Sequence, residues 1–288
     1  MERFAAFLQT KKQLSSATVN SYIRDVMLFS DFLEKPAAEG VEKDVEAFIR
    51  HLKSEGRSAS TIARFLSSLH AYFRYLTQRE GLLEDPTKNI PRPETERRLP
   101  MILTQEEVTR LLSAPTGDSP KAMRDRAMLE LLYATGLRVS ELISLHVDNV
   151  NLRRRMLSLR TGSRRRTIPF GRPCAIALSD YIKQARPFLL RGSGTAALFL
   201  SCNGAEMSRQ GFWKLMKHYK KIAGIDKEIT PHMLRHSFAA HLLENGASAA
   251  AIQEMMGFTD PSSTAIYTKI IENKIMDIYD KAHPRANL

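Results

Sequence analysis

Residues 230–246 read Thr-Pro-His-Met-Leu-Arg-His-Ser-Phe-Ala-Ala-His-Leu-Leu-Glu-Asn-Gly. The stretch continues through Gln-Glu-Met-Met-Gly-Phe at 253–258 to Thr-Ala-Ile-Tyr-Thr at 264–268. Thr230 is a helix cap and Pro231 suits the first helical position. Asn245-Gly246 closes the helix with residues that tolerate a left-handed backbone. His232 and Arg235 lie three apart, which sets an imidazole and a guanidinium on one helical face. A second short helix ends near Met256-Gly257, and Tyr267 lies in a third segment. A cation, an imidazole and a phenol can therefore meet around one phosphate.

Upstream, Thr104-Gln-Glu-Glu107 is a capping box that opens a helix to about Leu112. A further helix spans Arg124 to Ala134, with Ala127, Met128, Leu131 and Leu132 inward. Thr135-Gly136-Leu137-Arg138 is a turn, and Ser140-Glu141-Leu142 begins the next helix. Arg138 thus sits at a helix junction, where Glu141 is close enough to brace it. Between 150 and 170 the apolar period changes. Met156–Arg160 and Thr167–Phe170 read as two short strands joined by a turn at Thr161-Gly162-Ser163. A helix from Ala175 to Leu190 comes next, with Ile176, Ile182 and Phe188 among its apolar residues. Ser208 starts another through about Ala223, carrying Phe212, Trp213, Met216 and Tyr219, with Trp213 expected in the core. Beyond Tyr267, Ile270, Ile271, Ile275, Ile278 and Tyr279 mark a last amphipathic helix.

The N-terminal third is all helical in pattern. Residues 2–12 place Phe4, Phe7 and Leu8 together. The run from Ser15-Ser16 to Leu33 repeats Val19, Tyr22, Ile23, Val26, Phe29 and Phe32 at the helical period. Helices over 41–52 and from Ser58 or Ser60 to Leu76 complete a four-helix unit. Its outward positions include Lys11, Lys12, Arg24, Arg57, Arg64, Arg74 and Arg79. Residues 84–103 hold four prolines among mixed charges, the composition of an extended, semi-rigid connector. The expected boundaries are 1–83 for the first domain, 84–103 for the linker and 104–288 for the second.

The 288 residues carry a formal net charge of +12 and are 43% hydrophobic, which fits two cored domains that attract a polyanion, nucleic acid foremost. The two cysteines, Cys174 and Cys202, have no metal-like or redox-like spacing, which fits a reducing cytoplasm. The N-terminus shows no signal-peptide pattern, and no apolar run approaches the ~20 residues that span a bilayer. Zinc is disfavoured because His232-Met-Leu-Arg-His236 lacks the Glu of a zincin helix. No Walker loop supports nucleotide hydrolysis, and no carboxylate cluster supports a metal-dependent nuclease. His236 and His241 are expected to be structural or to form hydrogen bonds near the site. No metal or cofactor is expected.

The passage from His232 to Tyr267 resembles the C-terminal signature of the tyrosine recombinases of the phage integrase family, and the Xer-type members most closely. Ala-Thr-Gly-Leu-Arg-Val-Ser-Glu-Leu at 134–142 resembles the family segment that holds its first catalytic arginine. Thr18-Val19-x-x-Tyr22 and Ser60-Thr61-x-x-Arg64-x-Leu66-Ser67-x-Leu69 are similar to its DNA core-binding domain. The resemblance implies a mainly α fold: an N-terminal four-helix, SAM-like core-binding domain and a helical catalytic domain with a small antiparallel β-sheet. It implies two domains strapped around duplex DNA at a specific site, within a tetramer of recombinase subunits, alone or with a partner recombinase, and away from membranes.

It also implies roles. Arg138 and Arg235 grip the phosphate, since a guanidinium stays ionised and offers paired donors. His232 takes a proton or orients the phosphate. Tyr267 attacks and conserves the bond energy as a 3′-phosphotyrosine. Arg160, Arg164, Arg165 and Arg166 at the hairpin, with Arg64 and Arg24, are expected to face DNA phosphates. Two positions depart from the pattern. Where the family hairpin carries a catalytic Lys, this chain has Thr161. Where it usually has His or Trp after Leu-Gly, this chain has Phe258, which keeps bulk but donates no hydrogen bond. The leading reading is a site-specific recombinase whose activity these two departures would attenuate. The alternatives are a catalytically weakened DNA-binding relative that assists recombination, and a topoisomerase of type IB chemistry. Whether the biological task is resolving chromosome dimers in the cell cycle or moving a mobile element is left open.

Overall fold

A computed structural model describes residues 1–10, 14–94, 99–161, 164–258, 260, 263–270 and 272. Lys11 and Lys12, the turn at Gly162-Ser163 and the apolar stripe of Ile271, Ile275, Ile278 and Tyr279 lie outside these residues, as do the side chains of Thr161 and Arg164. The chain divides into two compact units, Met1–Arg98 and Leu99–Leu288.

The first unit is built from α1 (Glu2–Thr10), α2 (Ser16–Leu33), α3 (Glu42–Ser54) and α4 (Ala59–Arg79). Ser15 and Ser58 cap α2 and α4, each accepting from a backbone N–H three residues on, at 3.2 Å. Such caps satisfy donors that a helix start otherwise leaves open. Phe29, Phe48 and Phe73 meet edge-on inside, with Phe29 5.2 Å from Phe48 and 6.3 Å from Phe73 between ring centres. Full burial of each such side chain is worth about 1.5–3 kcal/mol. Asp25 is buried and bonded by Arg64 and, at 2.7 Å, by Ser68. Of the stretch expected to connect the domains, Ile90 belongs to this core and Leu103 to that of the second unit.

The second unit surrounds α6 (Pro120–Thr135). This helix is apolar on most sides, with Ala127, Met128, Leu129, Leu131 and Leu132 all fully buried, as a central helix must be. Around it lie α5 (Gln105–Ser113), α7 (Val139–Ile143), α8 (Arg172–Asp180), α9 (Arg186–Leu190), α10 (Arg209–Ile222), α11 (Pro231–Glu244) and α12 (Ala249–Met256). A further helical run covers 263–270. The small sheet is antiparallel in the order β1 (Val150–Asn151), β2 (Met156–Thr161), β3 (Arg164–Pro169). Leu157 pairs with Ile168 and Arg160 with Arg165. Two strands were expected here; β1 is too short to leave a period in the sequence.

Two expectations change. Trp213 is not core: it is 37% exposed, with Lys217 Nζ 5.9 Å from its ring centre. Phe212, Met216 and Tyr219 repeat at the helical period and claim the inward face of α10; Trp213 points about 100° away from it. The expected single helix over 175–190 is interrupted by a π-helical turn at Tyr181–Ala185. One extra residue in the turn rotates the rest of the helix relative to its start; Tyr181 is buried, while Ile176 and Phe188 are exposed. Among the described residues, no helix is long and apolar enough to cross a membrane.

Candidate active site

The site is held by backbone turns that converge on α11. Thr230 caps this helix, accepting from Met233 N–H at 3.2 Å, and Pro231 occupies its first turn. Ser237, on its buried side, donates to Met233 O at 2.8 Å and accepts from Leu103 N–H at 2.9 Å. That pins the start of the second unit to the helix bearing His232, Arg235 and His236.

Arg235 is 3% exposed. Its Nη1 donates to Gly136 O, and its Nη2 donates to Met256 O at 2.7 Å. Gly136 ends α6 with φ +58°, and a Cβ there would collide with the Phe238 ring. Glycine suits both demands, since it alone adopts this backbone freely and brings no side chain. The guanidinium also stacks over Phe258, 5.2 Å from the ring centre. Each Nη has spent one N–H on a carbonyl and keeps another for a ligand. Burial, then Arg138, pulls Arg235 down to about 10, so it remains a cation at neutral pH.

Arg138 is the residue before α7. Its N–H donates to Glu141 Oε2 at 2.8 Å, and its guanidinium lies 3.4 Å from Oε1. The brace expected for this junction is present, yet the Arg138 side chain keeps 43% exposure. It can still turn toward a phosphate.

Tyr267 is 1% exposed and packs with Phe238, Ile252, Met256 and Ile270. Its hydroxyl and His236 Nδ1 are joined by a 2.8 Å hydrogen bond. Phe258 lies parallel to it at 6.5 Å between ring centres. Burial pushes the phenol up to about 12, against the pull of Arg235. Burial, with the charges of His232 and Arg235 behind it, holds His236 down at about 4. Both are therefore neutral at pH 7. His232 is exposed, with its ring 6.5 Å from that of His236. Among the described residues no hydrogen bond joins His232 to the phenol.

The structure thus brings Arg235, Phe258 and Tyr267 together, with Arg138 close enough to act on Arg235 electrostatically. Several basic residues expected at phosphates behave differently. Arg166 turns inward: its side chain is 14% exposed, Nη2 lies 2.8 Å from Glu141 Oε2, and Nη1 donates to Met256 O at 2.7 Å. Glu141 draws it in, because a buried cation needs a nearby counter-charge. The Nη2 contact is an ion pair without hydrogen-bond alignment. Arg64 is tied to Asp25 and to Ser21 at 3.0 Å. Arg24, Arg160 and Arg165 are exposed. His236, expected to be structural or to form hydrogen bonds near the site, is the hydrogen-bonding neighbour of Tyr267; it stands four residues after His232, on the same helical face.

The chain has relatives among known proteins. The phage integrase family matches residues 101–274, and the phage integrase N-terminal SAM-like domain matches residues 1–80. A tyrosine recombinase XerD of Staphylococcus epidermidis is 40% identical over 291 aligned positions, covering 99% of each chain. A tyrosine recombinase XerD of Listeria monocytogenes is 39% identical, again over 99% of each chain. Among solved structures, the XerH site-specific recombinase bound to palindromic difH substrate, in its post-cleavage complex, overlays with a TM-score of 0.76. That overlay covers 91% of this chain and 79% of the other at 20% identity, a likeness of fold.

Proposed function

The chain belongs to the phage integrase family, and on that premise we propose that Tyr267 is the nucleophile with which it cuts and rejoins duplex DNA. The protein is a tyrosine site-specific recombinase. Arg235 and Arg138 bind the non-bridging oxygens of the scissile phosphodiester, His232 orients it from the exposed start of α11, and Tyr267 forms a 3′-phosphotyrosine. Attack frees a 5′-hydroxyl, which can rejoin a new partner strand without ATP. The observation that carries this assignment is that Arg235 and Tyr267 both pack against Phe258. Tyr267 is 1% exposed, so the site must open around it to admit the phosphate.

Two guanidiniums suit the work because preorganised donors aimed at developing charge are typically worth ~10²–10³ in rate each. Arg160 and Arg165, exposed and paired across β2 and β3, are proposed to contact DNA phosphates, with Arg24 and Arg64 doing so from the N-terminal core-binding domain. Residues 1–83 and 104–288 are proposed as the functional domains, with the connector between them. Nothing favours a non-cutting accessory role over the enzyme.

Assembly into a tetramer on DNA, in the cytoplasm, completes the proposal. The apolar stripe after Ile270 is proposed to dock on a neighbouring subunit. An apolar cavity of about 530 Å³ in the second unit, lined by Tyr133, Phe170, Pro173, Cys174, Phe238 and Leu242, has the chemistry to receive it. Nicked suicide DNA tests the central assignment. A covalent adduct should map to Tyr267 and vanish in Tyr267→Phe with DNA affinity nearly intact. An adduct that persists in that variant moves the nucleophile elsewhere.

A further inference from the structure

Tyr267 needs a base, because a phenol held up at about 12 is almost wholly protonated at pH 7. The family pattern points to His232, the histidine of His-x-x-Arg. The structure points to a different histidine. His236 Nδ1 is the nitrogen hydrogen-bonded to Tyr267 Oη, at 2.8 Å, with the two rings 5.7 Å apart and tilted by 44°. Other groups around the phenol are unsuited: Arg235 holds its protons, and Phe258 offers no acceptor.

We propose that His236, rather than His232, accepts the Tyr267 proton as the phenol attacks, and is therefore a further catalytic residue of this recombinase. The inference rests on Tyr267 being the nucleophile. His236 stands one position after Arg235, so the helix that aims the guanidinium at the phosphate aims this imidazole at the attacking atom. In the Nε2–H tautomer, Nδ1 carries a lone pair and the phenol donates to it. The bond that keeps the hydroxyl seated in the DNA-free chain is then the path by which its proton leaves.

In cleavage, the Tyr267 Oη–phosphorus bond forms, and the phosphorus–O5′ bond breaks with its electron pair on the departing oxygen, which takes a proton from water. The Oη proton passes to Nδ1, giving an imidazolium. In rejoining, the 5′-hydroxyl attacks phosphorus and the imidazolium returns its proton to Oη. His232 and Arg235 on the same helix oppose that imidazolium, and Arg138, Arg166 and Glu141 surround Arg235. The negative phosphate bound between the arginines offsets this repulsion when it is needed.

The test is single-turnover adduct formation on suicide DNA, from pH 6 to 10, by the wild-type chain, His236→Gln, His232→Gln and Tyr267→Phe. Gln at 236 retains a hydrogen-bonding group without a titratable one. His236→Gln should lose ~10²–10⁴ in rate near neutral pH, the usual worth of a general base. Its rate should then climb about tenfold per pH unit as hydroxide does the work, with partial rescue by added imidazole. His232→Gln should lose rate without acquiring that slope. Melting and DNA binding of each variant establish that it is folded. A His236→Gln profile parallel to wild type and unmoved by imidazole overturns the proposal, whatever the size of the rate loss. An adduct in Tyr267→Phe overturns the nucleophile assignment instead, so the two failures are distinct.

Discussion

Arg166 Nη1 and Arg235 Nη2 donate to the same acceptor, the carbonyl oxygen of Met256, each at 2.7 Å. Two guanidiniums from segments far apart in sequence are thereby drawn to one backbone atom at the end of α12. Their mutual repulsion is relieved by Glu141, which lies 2.8 Å from Arg166 and also braces Arg138. These cations are thus spaced by a carbonyl and a carboxylate.

Removing the carboxylate charge should therefore be costly. Glu141→Gln leaves three clustered cations without their counter-ion. Breaking a buried ion pair by loss of one partner typically costs ~3–5 kcal/mol, and the Glu141 and Arg166 side chains are both 14% exposed. Denaturant unfolding should show a loss toward the lower end of that range. Unchanged stability would mean that Arg166 has swung out to solvent.

Gly257 carries φ +66°, and a Cβ there would overlap the Arg166 guanidinium. Gly257→Ala should cost roughly 1–2 kcal/mol from the left-handed backbone alone, plus the displacement of Arg166. The melting temperature should fall, and suicide-substrate cleavage should fall more than DNA affinity. Retention of both would show that α12 ends in another way.

We propose that Thr161 takes the hairpin position at which the family resemblance implies a lysine general acid. A threonine hydroxyl has no useful acidity near neutral pH, and general acid catalysis is typically worth ~10²–10⁴. Normal DNA should be cleaved slowly by about that factor. A bridging 5′-thio substrate, whose leaving group needs little protonation, should be cleaved much faster, and Thr161→Lys should accelerate cleavage of normal DNA. Fast cleavage of normal DNA, with no gain from either change, would mean that another proton donor is in place.

His236 is held at about 4, below its ordinary value of 6.5. Between those values the unfolded chain binds a proton that the folded chain refuses, so stability rises with pH across this window. The contribution is full above about 6.5 and is lost as pH falls toward 4. His236→Gln should flatten that part of the stability profile. An equally steep profile in the variant would assign the acid sensitivity to other groups.

Much of the fold was legible in the chain itself. Thr230 and Pro231 start α11 where their capping chemistry says, and Gly136 closes α6, because caps depend on neighbours within a turn. The buried face of α6 derives from Ala127, Met128, Leu131 and Leu132. The motif from His232 to Tyr267 and the matching segment at 134–142 carried the family. Phe212 and Trp213 show the limit: both are large and aromatic, and packing around α10 decides which one is enclosed.

By itself, the sequence determined the order of helices, their caps, the position of the hairpin and the set of chemical groups available. Those properties are set by residues within a few positions of each other. Only the tertiary structure decided that Arg166 faces Met256, 90 residues away, and that His236 rather than His232 meets Tyr267 across 31 residues. Both are contacts between separate elements. They depend on how helices pack and on which buried charges and hydroxyls must find partners there, and no local period encodes them.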